Sequence, residues 1–332
     1  MEKTHLLEIK DLKVSFASKK SEIPAIQGIS YHLDEGEVLG IVGESGSGKS
    51  VSSHCILKLL PENGRIKGGQ ILFEGKDLLP MNPKEISHIR GNKISMIFQD
   101  PMTSLDPLFT VGHQIEEALK KHTTMSKQQR RARILELLDM VGINQPEKRM
   151  NQYPHEFSGG MRQRAMIAMA LSLNPKLLIA DEPTTALDVT IQAQIIELLK
   201  KLKDELNMAI IFITHDLGVV SDICDRIVVM YAGEIVESGG KRQIFYHSRH
   251  PYTEGLLNSV PKIDLSRSEK LIPIEGNPPD MQLLGDECPF SHRCGYAMNI
   301  CARQKPPKLT VEEGHEVSCW RCYREMSKDA GE

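Results

Sequence analysis

The sequence predicts an α/β domain organised around a parallel sheet, with an inserted helical segment and a small cysteine-bearing extension at its C-terminal end. Three observations lead there. A short apolar run, Val38-Leu39-Gly40-Ile41-Val42, feeds into a glycine loop, Gly43-Glu44-Ser45-Gly46-Ser47-Gly48-Lys49-Ser50, and then into helical sequence. Strand-length apolar runs at Leu177–Ala180, Ala209–Ile213 and Ile227–Met230 follow, with a helix expected over Ile191–Leu206 between the first two. Beyond about His250, prolines 251, 261, 273, 278, 279, 289, 306 and 307 break all long periodicity, and five of the seven cysteines gather there.

In chain order, residues 6–42 read as strand-rich, with Leu7 to Val14 partly alternating. A helix is expected from Ser50 to Leu60, broken by Pro61-Glu62-Asn63-Gly64. A strand, Ile94 to Phe98, ends at Gln99. Between Gln99 and Ser158 the composition turns helical. Lys127 to Met140 sets Ile134, Leu137, Leu138 and Val141 on one face, and its basic run reads most simply as a solvated face. This stretch is expected to be a helical subdomain inserted in the α/β core. After about residue 250 a small appended domain is expected, held together partly by its cysteines.

Composition narrows the function classes. Of 332 residues, 40% are hydrophobic and 26% charged, an ordinary globular balance. The formal net charge of −3 provides no basic field for nucleic acid. No run approaches the roughly 18 apolar residues of a membrane span, and Met1 to Glu8 carries early acids rather than a secretory leader. The expectation is a cytoplasmic chain that leaves any membrane spanning to other chains. Cys55 and Cys224 lie alone in apolar sequence. Cys288, Cys294, Cys301, Cys319 and Cys322 form a cluster that, in a reducing compartment, points to a metal site rather than disulfides.

The glycine loop carries the chemistry. Gly43, Gly46 and Gly48 permit backbone angles that turn successive amides inward toward the β-phosphate. Lys49 sets a point charge on the β/γ-phosphates, Ser50 offers a hydroxyl to Mg²⁺, and the following helix adds its positive end. Asp181-Glu182 ends an apolar strand, where one acid suits Mg²⁺ and the next suits polarising a water, or the pair is simply an acidic turn before Pro183. Gln99 reads either as a Mg²⁺ or water ligand or as a polar residue beside a helix cap. His215 reads either as a γ-phosphate contact or as a structural partner of Asp216. Ser158-Gly159-Gly160 opens a helix and makes a second anion site. One chain offers no evident second nucleotide for it, so ATP clamped between two copies of the fold is the expected arrangement.

Taken in order, Gly43–Ser50, Gln99, Ser158-Gly159-Gly160-Met161, Asp181-Glu182, Ala186-Leu187-Asp188 and His215 resemble the Walker A, Q-loop, signature, Walker B, D-loop and H-loop of an ABC-type ATPase. The resemblance covers about residues 5–250 and implies a RecA-like core with an antiparallel β-subdomain and an inserted helical subdomain at about 100–170. It also implies that Phe16 stacks on adenine, that Ser50, Gln99 and Asp181 hold Mg²⁺, and that Asp188 lies at the nucleotide. Glu182, His215 and Gln99 become the catalytic set. The signature departs from the usual Leu-Ser-Gly-Gly-Gln at both ends, having Phe157 and Met161, while Ser158 and both glycines are intact.

From 251 to 332 the chain resembles the C-terminal extension of the oligopeptide/dipeptide uptake branch, through His250-Pro251-Tyr252-Thr253, Leu256-Leu257, Val260-Pro261, Gly276-Asn277-Pro278-Pro279 and Cys288-Pro289-Phe290-Ser291-His292-Arg293-Cys294. That resemblance implies a [4Fe–4S] cluster on Cys288, Cys294, Cys301 and Cys319. Cys322 makes a Cys-x-x-Cys with Cys319 and leaves the fourth ligand open. Thiolates alone suit Fe–S or Zn²⁺, though the spacing lacks the paired knuckles of common zinc sites. The implied role is a structural staple or a redox sensor. The implied partners are a second ATPase subunit, related but different, two transmembrane permeases and an extracellular peptide-binding protein, with no nucleic acid. The implied location is the cytoplasmic face of the cell membrane. Cassettes for another solute such as nickel, and non-transport ABC ATPases, are the competing readings.

Overall fold

The computed structural model of the chain describes residues 5–19, 21–100, 104–185, 187–259 and 273–329. Ala186 of the D-loop motif, the Val260-Pro261 pair and Met1 to Thr4 lie outside them. In chain order the strands are β1 (Leu7–Ala17), β2 (Glu22–Leu33), β3 (Val38–Val42), β4 (Gly64–Phe73), β5 (Lys76–Asp77) and β6 (Ile94–Ile97). They continue with β7 (Leu177–Asp181), β8 (Ala209–Thr214), β9 (Arg226–Tyr231), β10 (Glu234–Gly240), β11 (Lys308–Glu312) and β12 (His315–Ser318). The helices that position the site are α1 (Lys49–Ile56), α2 (Val111–His122), α3 (Lys127–Met140), α4 (Gly159–Ala170), α5 (Val189–Leu206), α6 (Leu217–Ile223) and α7 (Pro251–Asn258). The chain divides into two compact units, residues 1–33, 38–79 and 214–332 in one, residues 34–37 and 80–213 in the other.

In the first unit, β2, β1, β4 and β5 form an antiparallel sheet. Leu7, Ile9, Leu12 and Val14 of β1 are all buried, and the alternation slips between Ile9 and Leu12 because the strand bulges there, with Asp11 at φ 44°. β3 runs parallel to β9, with Leu39 opposite Arg226 and Val42 opposite Val229. Every residue of β3 is buried, which is why it reads as an unbroken apolar run. β10 returns antiparallel to β9 and takes β12 on its other side, Glu237 opposite Val317; β11 pairs with β12. Residues far beyond 250 therefore complete this unit's sheet. A buried knot fixes them there, since the fully buried Glu237 carboxylate accepts from the Arg249 amide (2.7 Å), the His250 amide (3.1 Å) and His315 Nε2 (2.8 Å).

The helix expected to reach Leu60 stops at Ile56. Lys58 sits in the left-handed region at φ 50°, its amide bonding Cys55 and the next amide bonding His54. That is a Schellman closure with lysine where glycine is usual, so composition did not announce it.

In the second unit, β8, β7 and β6 are parallel, Leu177 lying opposite both Ile94 and Ala209. β7 and β8 are buried throughout. Helices α2, α3 and α4 lie between β6 and β7 in sequence, as expected of an insert. Ile134, Leu137, Leu138 and Val141 are 0–2% exposed, so the predicted apolar face is the packed one. Ser126 and Gln129 cap α3 reciprocally. The basic run of α3 needs correcting, because it is only partly solvated. Arg130 bonds Glu116 on α2 at 3.0 Å with its side chain 16% exposed, and Arg133 reaches Asn174 at 2.6 Å. These arginines tie the helices together rather than coating them.

Candidate functional site

In the first unit β3 ends at Val42 and the chain enters the glycine loop. Gly43 has φ 150°, and a Cβ placed on it would lie 2.1 Å from the Met230 carbonyl oxygen of β9, so the loop starts where no side chain fits. Gly48 N-caps α1 at φ 98°. Ser45 and Gly46 are exposed, Ser47 and Lys49 are buried, and Ser50 is half-buried in the first turn of α1. The Lys49 ammonium lies 2.7 Å from the Gly43 carbonyl and 2.8 Å from that of Glu44, so its charge is held against the loop's own oxygens. An ammonium held by carbonyls at a helix N-terminus is a strongly anion-seeking corner.

Two partners of this loop lie far along the chain. The Glu44 amide donates to the hydroxyl of Tyr252 at 2.8 Å, and the Glu44 carboxylate takes both ends of the Arg293 guanidinium, at 2.6 and 3.0 Å. Sequence reasoning quoted both residues as marks of a C-terminal motif and gave neither a chemical role.

Also in this unit, Phe16 lies half-buried in β1 opposite Gly64 of β4, its ring edge 3.1 Å from where a Cβ on Gly64 would stand. His215 is exposed at the end of β8, and its neighbour Asp216 caps α6 by accepting from the Gly218 amide at 2.8 Å.

In the second unit Asp181 is buried at the end of β7, 3% exposed. Glu182 adopts φ 46°, an uncommon conformation for glutamate. Its amide donates to the Ile213 carbonyl at 2.9 Å, and one carboxylate oxygen accepts from both Gln99 Nε2 and Thr185 Oγ1 at 2.9 Å. A strained backbone and two aimed donors fix this carboxylate in direction. The structure thus brings Gln99 and Glu182 together and adds Thr185, which sequence reasoning missed. Ser158 caps α4, accepting from the Met161 amide at 3.3 Å, while Phe157 is buried as an anchor and Gly159 is exposed. Asp188 caps α5 in the same way, accepting from Ile191 at 3.0 Å, and Gly160 packs against Ile191.

The cysteines of the first unit sort into two kinds. Cys288, Cys294, Cys301 and Cys319 interact electrostatically with one another, and the Cys288 amide bonds the Cys301 carbonyl at 2.8 Å. Each of the four sulfurs accepts from a backbone amide, those of Phe290, Tyr296, Met298 and Arg321 respectively. Burial pushes the Cys288 thiol up to about 12, whereas the contact with Cys322 and the surrounding amides bring Cys319 below the ordinary thiol range. Cys322 is the donor, to the Cys319 sulfur or to the Arg249 carbonyl at 3.4 Å, and its own thiol is pushed up. Among the described residues, no three cysteine sulfurs lie within 4.8 Å of one another. No helix among the described residues is long and apolar enough to cross a membrane.

Comparison with known proteins places these features. The family model described as ABC transporter matches residues 26–185, and the model described as Oligopeptide/dipeptide transporter, C-terminal region, matches residues 236–301. Among solved structures, a dimeric ATP-binding cassette, MJ0796, in a post-hydrolysis state with ADP and Pi is 32% identical with a TM-score of 0.64, covering 71% of this chain and 99% of that one. The cbiO1 cassette of Clostridium perfringens is 27% identical with a TM-score of 0.63, covering 74% and 92%. The chain belongs to the ABC transporter family and has its ATPase cassette fold. The Bacillus subtilis oligopeptide transport ATP-binding protein OppD is 57% identical over 98% of this chain and 91% of its own length. The dipeptide transport ATP-binding protein DppD of the same organism is 51% identical over 95% and 94%. Within the family, the chain is an ATP-binding subunit of the oligopeptide/dipeptide branch.

Proposed function

We propose that this chain hydrolyses ATP to power peptide uptake through a multi-subunit ABC transporter, from the cytoplasmic face of the membrane. The observation that carries the hydrolytic step is the carboxylate of Glu182, held by Gln99 and Thr185 at a buried strand end. In this reading Phe16 stacks on adenine and the amides of Ser45, Gly46, Ser47 and Gly48 cradle the phosphates with Lys49, while Glu44, whose N–H is taken by Tyr252, anchors the start of the loop. Ser50, Gln99 and Asp181 hold Mg²⁺, which neutralises charge between the β- and γ-phosphates. Glu182 polarises the attacking water, His215 contacts the γ-phosphate, and Ser158, Gly159, Gly160 and Asp188 serve the nucleotide of a facing cassette. The dimeric, product-bound cassette among the structural neighbours supports a two-cassette engine. Cleavage removes the shared anion from between two helix termini and lets the halves part.

The facing cassette is read as a related but different chain, working with two transmembrane permeases and an extracellular peptide-binding protein. Residues 1–250 are read as the cassette, with the helical subdomain at about 100–170, and 251–332 as the extension. The extension is read as a [4Fe–4S] site on Cys288, Cys294, Cys301 and Cys319. Their chemistry fits, since four sulfurs accept amide hydrogen bonds beside the Arg321 cation while Cys322 donates. The buried Ser291 hydroxyl within the same loop has no hydrogen-bond partner among the described residues. A tetrahedral Zn²⁺ would draw sulfurs to about 3.8 Å from one another, closer than this set stands. Such a cluster would supply a covalent staple with redox capacity.

The test is Glu182→Gln. It should bind Mg-ATP, lose about 100-fold or more in turnover, and with its partner cassette elute as a dimer in Mg-ATP. Turnover like that of the parent sinks the reading.

A further inference from the structure

The loop that carries Cys288 and Cys294 also reaches the phosphate loop, through one side chain. Arg293 is nearly buried, 5% exposed, and its five N–H groups meet five acceptors. Nη1 donates to Glu44 Oε2 (2.6 Å) and to Tyr231 Oη (3.2 Å). Nη2 donates to Glu44 Oε1 (3.0 Å) and the Ile274 carbonyl (3.3 Å), and Nε donates to the Glu275 carbonyl (2.9 Å). A fully engaged planar fork is a device that lysine cannot reproduce.

What it holds is part of the nucleotide nest. The peptide joining Gly43 to Glu44 is gripped on both edges, its carbonyl by the Lys49 ammonium at 2.7 Å and its N–H by the Tyr252 hydroxyl at 2.8 Å. Tyr252 is fully buried and packs on Tyr231, with ring centroids 4.6 Å apart. The Glu44 side chain adds a negative charge at the rim of a site meant for a polyanion. Alone it would repel phosphates; paired with Arg293 it becomes an anchor.

We propose that Arg293 is a positioning residue for nucleotide. It neutralises Glu44 and pins the first peptide of the phosphate loop, so that the C-terminal extension sets the affinity of the cassette for ATP. Tyr252 acts with it by fixing the orientation of that peptide.

The experiment is a charge cycle on the full chain, with Mg-ATP affinity read by titration and folding read by thermal melting. Arg293→Ala should weaken Mg-ATP binding about tenfold or more, because it leaves the Glu44 carboxylate unpaired at the rim of the nest. Adding Glu44→Gln should restore affinity to within about threefold of the parent, and Glu44→Gln alone completes the cycle. Arg293→Lys should fall between the parent and Arg293→Ala. A merely structural arginine would not be rescued by neutralising its partner. Should Arg293→Ala not fold, Arg293→Gln, which can still donate toward the Glu275 and Ile274 carbonyls, takes its place in the cycle. Unchanged affinity in the charge-removing variant overturns the proposal, and so does a double variant as weak as the single. A parent that fails to bind Mg-ATP would instead overturn the ATPase reading itself.

Discussion

The phosphate loop and the helix caps at Ser158 and Asp188 are built on opposite plans. The loop is braced from a distance, by Met230 on β9, Tyr252 on α7 and Arg293 in the cysteine loop, and its lysine is buried. Ser158 and Asp188 are set by short-range devices instead, two helix caps that each bond an amide three residues later. Glu182 combines the two, with a donor three positions on at Thr185 and a distant one at Gln99. The difference matches the tasks proposed for them. A nest for polyphosphate must be rigid before its ligand arrives, whereas a surface meant to meet and leave a facing subunit gains from exposure and small residues.

The sharpest way to break this contrast is to give each region one methyl group. Gly43→Ala sets a Cβ 2.1 Å from a backbone oxygen in β9, at a φ that alanine resists. It should abolish measurable ATP binding and cost about 3 kcal/mol in stability, seen by titration and melting. Gly160→Ala meets the Ile191 side chain instead, Cγ2 at 2.9 Å and Cδ1 at 3.7 Å, with no backbone atom among its nearest neighbours. That variant should melt closer to the parent than Gly43→Ala and bind one equivalent of ATP, failing in ATP-dependent association. If both behaved alike, the two plans would not differ in rigidity.

Much of this was legible in the sequence, for a physical reason. Buried parallel strands, glycine-dependent loops and caps are local, so β3, β7, β8 and β9, the phosphate loop and the helix opened by Ser158 could each be read from a few neighbouring residues. The apolar face of α3 was legible because burial imposes a period. The braces were not. Tyr252 and Arg293 lie 208 and 249 residues from Glu44, and no pattern in a linear string marks a tyrosine as buried beside a loop that distant. The early stop of α1 was illegible because Lys58, not glycine, takes the left-handed turn. The fourth thiolate could not be chosen from spacing, since Cys319-Trp320-Arg321-Cys322 offers two thiols three residues apart, and only the structure shows that Cys322 donates to the Arg249 carbonyl.

That last difference yields a second test, within the braced region. Cys319→Ser should lose iron and the visible absorbance of the anaerobically purified chain, as should the corresponding variants of Cys288, Cys294 and Cys301. Cys322→Ser should retain both, because serine can still donate to the Arg249 carbonyl. Zinc in place of iron, by metal analysis, would overturn the cluster, and iron loss on Cys322→Ser would exchange the ligands.

The effect that is smallest near neutral pH is a pH dependence confined to the braces. Burial holds His250 at about 4, against an ordinary imidazole value of 6.5, and its Nδ1 accepts from the Tyr252 amide at 3.0 Å, a bond only the neutral ring can make. The groups facing it are the Glu237 carboxylate, which opposes the shift, the Arg321 cation and the ring of Phe290. The folded value lies below the unfolded one, so the unfolded chain binds the proton first as pH falls. The contribution of this histidine is therefore complete above about pH 6.5 and declines toward pH 4, by up to about 1.4 kcal/mol per pH unit. Melting temperature should drop more steeply over that window in the parent than in His250→Asn, which keeps a capping acceptor and cannot titrate. Because His250 caps the helix that carries Tyr252, ATP affinity should weaken over the same window in the parent and less so in the variant. Parallel pH profiles for the two would mean that the brace on Glu44 does not depend on this cap.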